Sequence, residues 1–153
     1  MELKLEKVSS ENWRQATFLT TDPERKIPLD EQWIANNAFS LLQCVYDPDW
    51  DCRLLMDGDS AVGFVFYGYD RDEDYYLLCR YMIDVKQQGR GYGKAFLPLV
   101  VDLIRQQYGC RDVYTSVHDE NARALHLYKS FGFERTEKMD ADERVYVLRG
   151  TVK

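Results

Sequence analysis

Residues 83–94 read Ile-Asp-Val-Lys-Gln-Gln-Gly-Arg-Gly-Tyr-Gly-Lys, and this stretch decides the fold. Before it, the residues from Tyr75 to Val85 are rich in aromatic and aliphatic side chains, which predicts a β-strand. After it, apolar residues recur at helical spacing from Gly91 to Tyr108, and Gly109 predicts the end of that helix. Three glycines therefore lie in a loop that leads into a helix, where free N–H groups and the helix dipole favour phosphate oxygens.

The spacing of these glycines excludes two common nucleotide-binding loops. A P-loop requires G-x-x-x-x-G-K-[ST], but Gln88 stands where the first glycine belongs and Ala95 follows Lys94. The dinucleotide fingerprint G-x-G-x-x-G would need a glycine at position 94. Because Arg90 and Lys94 add positive charge, the loop is predicted to hold a pyrophosphate; the alternative is a glycine-rich turn without a ligand.

The residues before this stretch predict a strand, two helices and a hairpin. Charged and apolar residues alternate around Leu3 and Leu5, as in a strand, and Ser9-Ser10-Glu11 predicts the start of a helix. A second helix begins near Asp30, and its predicted apolar face comprises Trp33, Ile34, Asn37, Ala38, Leu41, Leu42 and Val45. Strands at 51–57 and 60–69 are joined by the hairpin signal Asp57-Gly58-Asp59.

The residues after the stretch predict a strand, a helix and a final hairpin. These elements are Val113 to His118, Asn121 to Phe131, Phe133 to Met139 and Glu143 to Leu148. The order of elements along residues 1–153 predicts a single domain of the α+β class, with helices packed on a mixed sheet.

Composition and charge exclude several classes of function. The formal net charge of −6 makes the chain a poor ligand for nucleic acid phosphates. No run of about 18 apolar residues predicts a membrane span, and the first residues are unlike a signal peptide. The four cysteines are widely spaced, so no zinc site is predicted, and free thiols in the cytoplasm are expected.

Two motifs resemble the GNAT superfamily of N-acetyltransferases. Gln88, Gly91 and Gly93 match the signature [QR]-x-x-G-x-[GA], and residues 121–133 match N-x-x-A-x-x-L-Y-x-x-x-G-F almost position for position. The resemblance covers about residues 60–149, and residues 80–84 resemble bacterial diamine (spermine/spermidine) acetyltransferases. It implies a mostly antiparallel, twisted sheet of about seven strands, split near the cofactor, with four helices.

The resemblance also implies a donor, acetyl-CoA, and a set of residues that hold it. The end of the strand, residues 83–85, is expected to pair with the pantetheine arm, and the loop at residues 88–94 to hold the pyrophosphate. The side-chain amide of Asn121, at the start of the helix after the next strand, is expected to contact the cofactor. The residues concerned are Ile83, Asp84, Val85, Gln88, Gly89, Arg90, Gly91, Tyr92, Gly93, Lys94 and Asn121. Backbone N–H groups near Ile83 are expected to polarise the thioester carbonyl, and Tyr128 to act as general acid toward the leaving sulfur.

The general base is left open by the sequence. Many relatives carry a carboxylate four residues before the position matched by Ile83, but Cys79 stands there. Cys79 is either a reactive thiol that could act as nucleophile or base, or an inert buried thiol. A further alternative is a water molecule that relays the proton to Asp84 or to the acidic turn. His118 and His126 are each more often structural than catalytic.

The acceptor site is predicted only in outline. The expected acceptor is a primary amine, most like a polyamine or diamine such as spermidine or spermine. Candidate residues are Asp47, Asp49, Asp51, Asp70 to Asp74, Trp33, Phe39 and Tyr46. The alternatives are a protein N-terminus, an aminoglycoside or another small amine as acceptor, or a CoA-binding regulatory domain without turnover. A homodimer is expected from the resemblance alone, and neither nucleic acid nor a membrane is an expected partner.

Overall fold

In the computed structural model, which describes residues 1–21 and 36–150, seven strands form one sheet. The strands are β1 (Leu3–Lys7), β2 (Trp50–Asp57), β3 (Ser60–Asp70), β4 (Tyr75–Ile83), β5 (Val113–His118), β6 (Glu134–Asp140) and β7 (Glu143–Leu148). The described helices are α1 (Trp13–Phe18), α2 (Asn37–Tyr46), α3 (Tyr92–Tyr108) and α4 (Ala122–Phe131), with a 3-10 turn at Val85–Gln87. The predicted mixed fold, with about seven strands and four helices, is confirmed.

The strand order in the sheet is β1-β2-β3-β4-β5-β7-β6. Every neighbouring pair is antiparallel except β4 and β5, which run parallel. The β2–β3 hairpin turns at Gly58, where φ is +57°, as the sequence predicted.

Alternate residues of the strands fill two separate cores, one on each face of the sheet. On the first face, Val65 and Tyr67 pack with the apolar residues of α3 and α4. On the second, Phe64 and Phe66 pack with Ala16 of α1 and with part of α2.

The sheet splits between β4 and β5. The two strands are paired only at Leu77 with Tyr114 and Leu78 with Thr115. The next residue of β4 is Cys79, which has no partner on β3, because Tyr67 pairs with Leu78 and Phe66 pairs with Arg80. An extra residue of this kind is a β-bulge, which bends and twists its strand. The remainder of β4 therefore stays with β3 and leaves β5, and the predicted split is confirmed.

The predicted face of the second helix is correct at Asn37 and Leu41, which lies against the second core, and wrong at Leu42 and Val45. Leu42 and Val45 are 58% and 73% exposed, whereas Asn37 and Ser40 are buried. Asn37 is buried because its amide donates to the carbonyl of Ala16 at 2.8 Å, which satisfies a polar group inside the fold. The helix was predicted to begin near Asp30, and that position, with Trp33 and Ile34, lies outside the described residues.

Helix α3 continues through a proline. Pro98 is the seventh residue of the helix, in its second turn. Its missing N–H removes the usual partner of the Lys94 carbonyl, four residues earlier. The sequence predicted a proline in or near the first turns, which agrees with this position.

Residues 1–21 and 36–150 contain neither a membrane-spanning helix nor a cluster of metal-binding side chains. No helix there is long and apolar enough to cross a bilayer. No three His, Cys, Asp or Glu side chains in these ranges lie close enough together to hold a metal ion.

Candidate active site

A cavity of about 660 Å³ lies where the end of β4 meets the start of α3 and one side of α4. Its walls contain eight of the residues predicted to hold the cofactor: Ile83, Gln88, Gly89, Gly91, Tyr92, Gly93, Lys94 and Asn121. Residues that were not predicted also line it: Thr21, Tyr81, Met82, Gln87, Arg123, Ala124, His126, Leu127, Ser130 and Phe131.

The start of α3 presents unpaired main-chain donors. Gly91 is the N-cap residue and has no side chain with which to cap the helix. The N–H of Ala95 bonds to the carbonyl of Gly91 at 3.0 Å, so Tyr92, Gly93 and Lys94 precede the first intrahelical bond. Their N–H groups and the positive end of the helix dipole make this end an anion site.

The backbone requires glycine at two of the three glycine positions of the loop. Gly89 and Gly91 have φ of +79° and +85°, and a Cβ built on either would meet nothing within 4 Å. The backbone conformation therefore requires these two glycines, and lack of space does not. At Gly93, a Cβ would lie 3.7 Å from Leu127, and its carbonyl accepts a hydrogen bond from the Tyr81 hydroxyl at 2.6 Å. A methyl group would therefore fit at Gly93, and the carbonyl of this residue connects α3 to β4.

Gln88 connects the two walls of the cavity. Its Nε2 donates to the carbonyl of Ile83 at 3.1 Å, and its Oε1 accepts from Arg123 at 2.8 Å. The motif glutamine therefore holds the end of β4 and orients a cation on α4. In the sequence, the only indication that Arg123 belongs to the site is its position two residues after Asn121, the N-cap of α4.

The cavity is positively charged in a chain that is acidic overall. Lys94 and Arg123 line it, and no Asp or Glu is among the described lining residues. At its rim, Asn121 caps α4 by accepting from the N–H of Ala124 at 3.1 Å. The Asn121 amide nitrogen donates to none of the described residues and is available to a ligand.

The end of β4 is tied down by Asp84. Its carboxylate accepts from the N–H groups of Thr20 at 2.9 Å and Lys86 at 3.2 Å. The N–H of Val85 donates to the carbonyl of Thr20 at 2.7 Å. Asp84 and Val85 were predicted to contact the cofactor, but these groups are used to fix the loop against the segment after α1.

Two other predicted cofactor residues, Tyr92 and Arg90, differ in their relation to the cavity, which Tyr92 lines. The Tyr92 hydroxyl donates to Asp57 at 2.7 Å, and this bond helps to hold the pKa of the Asp57 carboxyl below its usual value. Arg90 is exposed and is not part of the cavity wall. At position 92 the main-chain N–H remains at the cavity, while the side chain anchors α3 to the β2–β3 turn.

The main chain of Ile83 points into the split. The N–H of Asp84 donates to the carbonyl of Val62 at 2.8 Å across the β3–β4 ladder. Hydrogen-bonded and non-hydrogen-bonded pairs alternate in an antiparallel ladder, so Ile83, opposite Gly63, turns its N–H away from β3. This is the side on which β4 has parted from β5.

Tyr128 is buried beside the point where the strands part. Its ring packs edge-on against Phe133, and its hydroxyl contacts Thr115. Thr115 in turn donates to the carbonyl of Leu78 at 2.9 Å, at the last β4–β5 pair. Burial raises the pKa of Tyr128 to about 12, so the hydroxyl is protonated at neutral pH.

Cys79 lies in the bulge at the same point. Burial, together with the nearby charges of Glu143 and Asp140, raises the pKa of this thiol to about 12. The thiolate is the reactive form of cysteine, so Cys79 is a neutral, unreactive thiol at neutral pH.

The predicted acceptor carboxylates have structural partners. Asp49 is bonded to Arg71, and Asp51 accepts from Arg53 at 2.7 Å and from Gln107 at 2.9 Å. Other carboxylates cap turns: Asp47 accepts from the N–H of Asp49, Asp70 from those of Asp72 and Glu73, and Asp74 from the Tyr69 hydroxyl. These carboxylates therefore stabilise loops and do not gather at the split.

The remaining candidates are dispersed. His118 lies 3.4 Å from Asp142, and His126 is on the exposed part of the cavity wall. Phe39 and Tyr46, predicted to line the acceptor pocket, are 61% and 83% exposed, and Trp33 lies outside the described residues.

Comparisons with known proteins agree with this geometry. A model of the acetyltransferase (GNAT) family matches residues 7–133. The chain is 36% identical over 144 residues to the spermine/spermidine N(1)-acetyltransferase of Bacillus subtilis, covering 83% of this chain and 93% of that protein.

Solved structures share the fold at lower sequence identity. An acetyltransferase from Thermus thermophilus superposes with a TM-score of 0.75 at 20% identity, covering 97% of each chain. The spermidine N-acetyltransferase of Vibrio cholerae, solved in complex with CoA and spermine, superposes with a TM-score of 0.74 at 16% identity, covering 97% of this chain and 96% of that chain. With the family model spanning most of its length, the chain belongs to the acetyltransferase (GNAT) family and is an N-acetyltransferase.

Proposed function

We propose that this enzyme transfers the acetyl group of acetyl-CoA to a primary amine of a polyamine such as spermidine or spermine. The observation that carries the proposal is the cavity at the β4–β5 split. Main-chain N–H groups and two cations line it, with no carboxylate among its described residues. The name of the Bacillus subtilis relative supports the choice of polyamine.

The residues of the cavity fit the chemistry of coenzyme A. Its pyrophosphate would bind the N–H groups of Tyr92, Gly93 and Lys94, with Arg123 and the Lys94 side chain offsetting the negative charge. The pantetheine arm is amphipathic and would pass Ile83 and the apolar side chain of Leu127. Acetyl-CoA supplies an activated acetyl group as a thioester.

Two groups of the protein would then act on the reaction. The N–H of Ile83 would donate to the thioester oxygen, where negative charge develops during attack. Tyr128, protonated and buried beside Thr115, would donate a proton to the leaving sulfur. Tyr128 lies at the start of the split, beside Thr115, and Ile83 lies further along β4 at its end, so both groups border the gap between the strands.

A thiol-release assay with acetyl-CoA and a panel of amines tests the proposal. The panel contains spermidine, spermine, a short diamine, an aminoglycoside and a peptide with a free N-terminus. Fastest turnover with spermidine or spermine supports the proposal, and turnover with the peptide alone would instead indicate a protein acceptor. Binding of acetyl-CoA, measured by calorimetry, without turnover of any amine would indicate a regulatory domain and refute the proposal.

A further inference from the structure

We propose that Glu143 is the carboxylate that receives the ammonium group of the acceptor and takes its proton. This inference rests on the proposed function, because it names the base of the same reaction. A primary ammonium has a pKa of about 10.4, so the amine must lose a proton before it can attack a carbonyl carbon.

The side chains at the split leave few proton acceptors. Cys79 and Tyr128 are both protonated at neutral pH. Asp84, on the same strand, uses its two oxygens to accept from the N–H groups of Thr20 and Lys86. A group other than these three must therefore serve if a side chain is the base.

Glu143 reaches the split through Ser116. Ser116 is the first residue of β5 after its last pair with β4, and continuing the parallel register would place it opposite Cys79. The Ser116 hydroxyl donates to Glu143 at 2.6 Å. This bond holds the carboxylate of β7 next to the gap between the strands.

The bond lies on the face of the sheet away from α3 and α4. Thr115 and its neighbours Val113 and Val117 point toward α3 and α4, where the two valines join that core. Because side chains alternate along a strand, Ser116 points to the opposite face, with Cys79, which packs in the second core. An amine approaching from this face would meet Glu143 without crossing the cationic cavity.

The charges around Cys79 and Glu143 include the carboxylate of Asp140 and one cation, Arg80 of β4. Asp140 of β6 is its direct cross-strand partner, and neither carboxylate forms an ion pair with a residue in 1–21 or 36–150. Like charges directly opposite each other repel, and an ammonium between or beside them would offset that repulsion. His118, its partner on β5, is instead directed to Asp142. The Glu143 charge is also near enough to help raise the pKa of both Cys79 and Tyr128.

The protons of the transfer balance with these groups. The ammonium gives one proton to Glu143, which later releases it to water. The amine nitrogen then forms a bond to the acetyl carbon while the carbon–sulfur bond breaks. The sulfur takes a proton from Tyr128, and the second proton of the nitrogen restores that hydroxyl.

The test compares Glu143→Gln with the wild-type enzyme. Spermidine binding to the protein saturated with CoA, measured by calorimetry, is expected to weaken at least about tenfold, because one charge partner is lost. With acetyl-CoA, kcat at neutral pH is expected to fall by about 100-fold or more. This loss should shrink as pH rises toward the pKa of the amine, because the free amine then needs no base.

The matched control is Glu134→Gln, which removes an exposed glutamate of the neighbouring strand β6. It is expected to leave both measurements unchanged, and both variants are expected to keep the CoA affinity and melting temperature of the wild type.

The possible outcomes separate the inference from the proposed function. If the wild type turns over an amine and Glu143→Gln does so equally well, or with a loss that stays constant with pH, the role of Glu143 is overturned. If the wild type turns over no amine, the proposed function fails. The calorimetric measurement of spermidine binding then decides whether Glu143 belongs to an amine site. Weaker spermidine binding by Glu143→Gln then supports the amine site, and equal binding or no binding by either protein overturns it.

Discussion

The two sides of the β4–β5 split are built in different ways. On the donor side, consecutive residues of one loop supply main-chain N–H groups, and the lining cations are Lys94 and Arg123. On the opposite side, Cys79, Ser116 and Glu143 come from three strands and contribute side chains. The proposed phosphate site therefore depends on residues that are close in the chain, whereas the proposed amine site depends on strand pairing.

The largest expected effect is at Tyr128, which lies between the two sides. Tyr128→Phe should lower kcat by about 100-fold or more, because it removes the proton donor for the sulfur. CoA affinity should be nearly unchanged, because Tyr128 is not part of the cavity wall. Steady-state kinetics and calorimetry measure the two quantities.

The control for this change is Tyr146→Phe, which removes a hydroxyl from another buried tyrosine of the same core. It should leave kcat within about twofold, since its hydroxyl has no assigned part in the reaction. An equal loss in both variants, or none in Tyr128→Phe, would remove Tyr128 from the mechanism and leave the split without an assigned acid.

A smaller effect tests whether the donor side depends on its backbone. Gly91→Ala forces a side chain into φ of +85°, which should cost about 1–2 kcal/mol of unfolding free energy. It should also weaken CoA binding about tenfold by shifting the N–H groups that follow. Gly109→Ala, at the other end of α3 with φ of +65°, imposes the same kind of strain far from the cavity.

Calorimetry and chemical denaturation distinguish the two glycine variants. Both should lose similar stability, but only Gly91→Ala should lose affinity for CoA. Equal affinity in the two variants would show that the anion site does not depend on this conformation.

The smallest effect concerns the pH dependence of stability at Cys79. The unfolded thiol ionises near pH 8.5, whereas the folded thiol holds its proton until about pH 12. Between these values the unfolded state binds fewer protons, so the free energy of unfolding falls as pH rises. In Cys79→Ala this decline should be shallower between about pH 8 and about pH 10, as measured by urea denaturation. If the free energy of unfolding falls equally steeply with pH in the two proteins, the Cys79 thiol is not shielded from solvent in the folded state.

The strand and loop predictions succeeded where local patterns decide the structure. The turn at Gly58 and the end of α4 at Gly132 both require positive φ, which glycine adopts without strain. The second helix was predicted only in part: Asn37 is buried, through a bond to the Ala16 carbonyl in another element, whereas Leu42 and Val45 are exposed. The hydrophobic periodicity of the sequence does not reveal a hydrogen bond between two separate elements.

The site was predicted in part for the same reason. Gln88, Gly91 and Asn121 belong to contiguous motifs, and the structure brings them to one cavity. Asp84 belongs to the same stretch, yet its carboxylate binds Thr20, 64 residues away in the chain. Glu143 carries no motif, and only its bond to Ser116 on a paired strand marks it.

The sequence by itself determined the order of strands and helices, the glycine loop before α3 and the family, because each depends on residues that are close in the chain. The tertiary structure decided which face each side chain occupies, how β4 leaves β5 and which carboxylate lies at the gap. Its bulge at Cys79 bends β4 away from β5, and the pairing of β5 with β7 places Glu143 beside that gap. These contacts join residues far apart in sequence, so their geometry exists only once the sheet has formed.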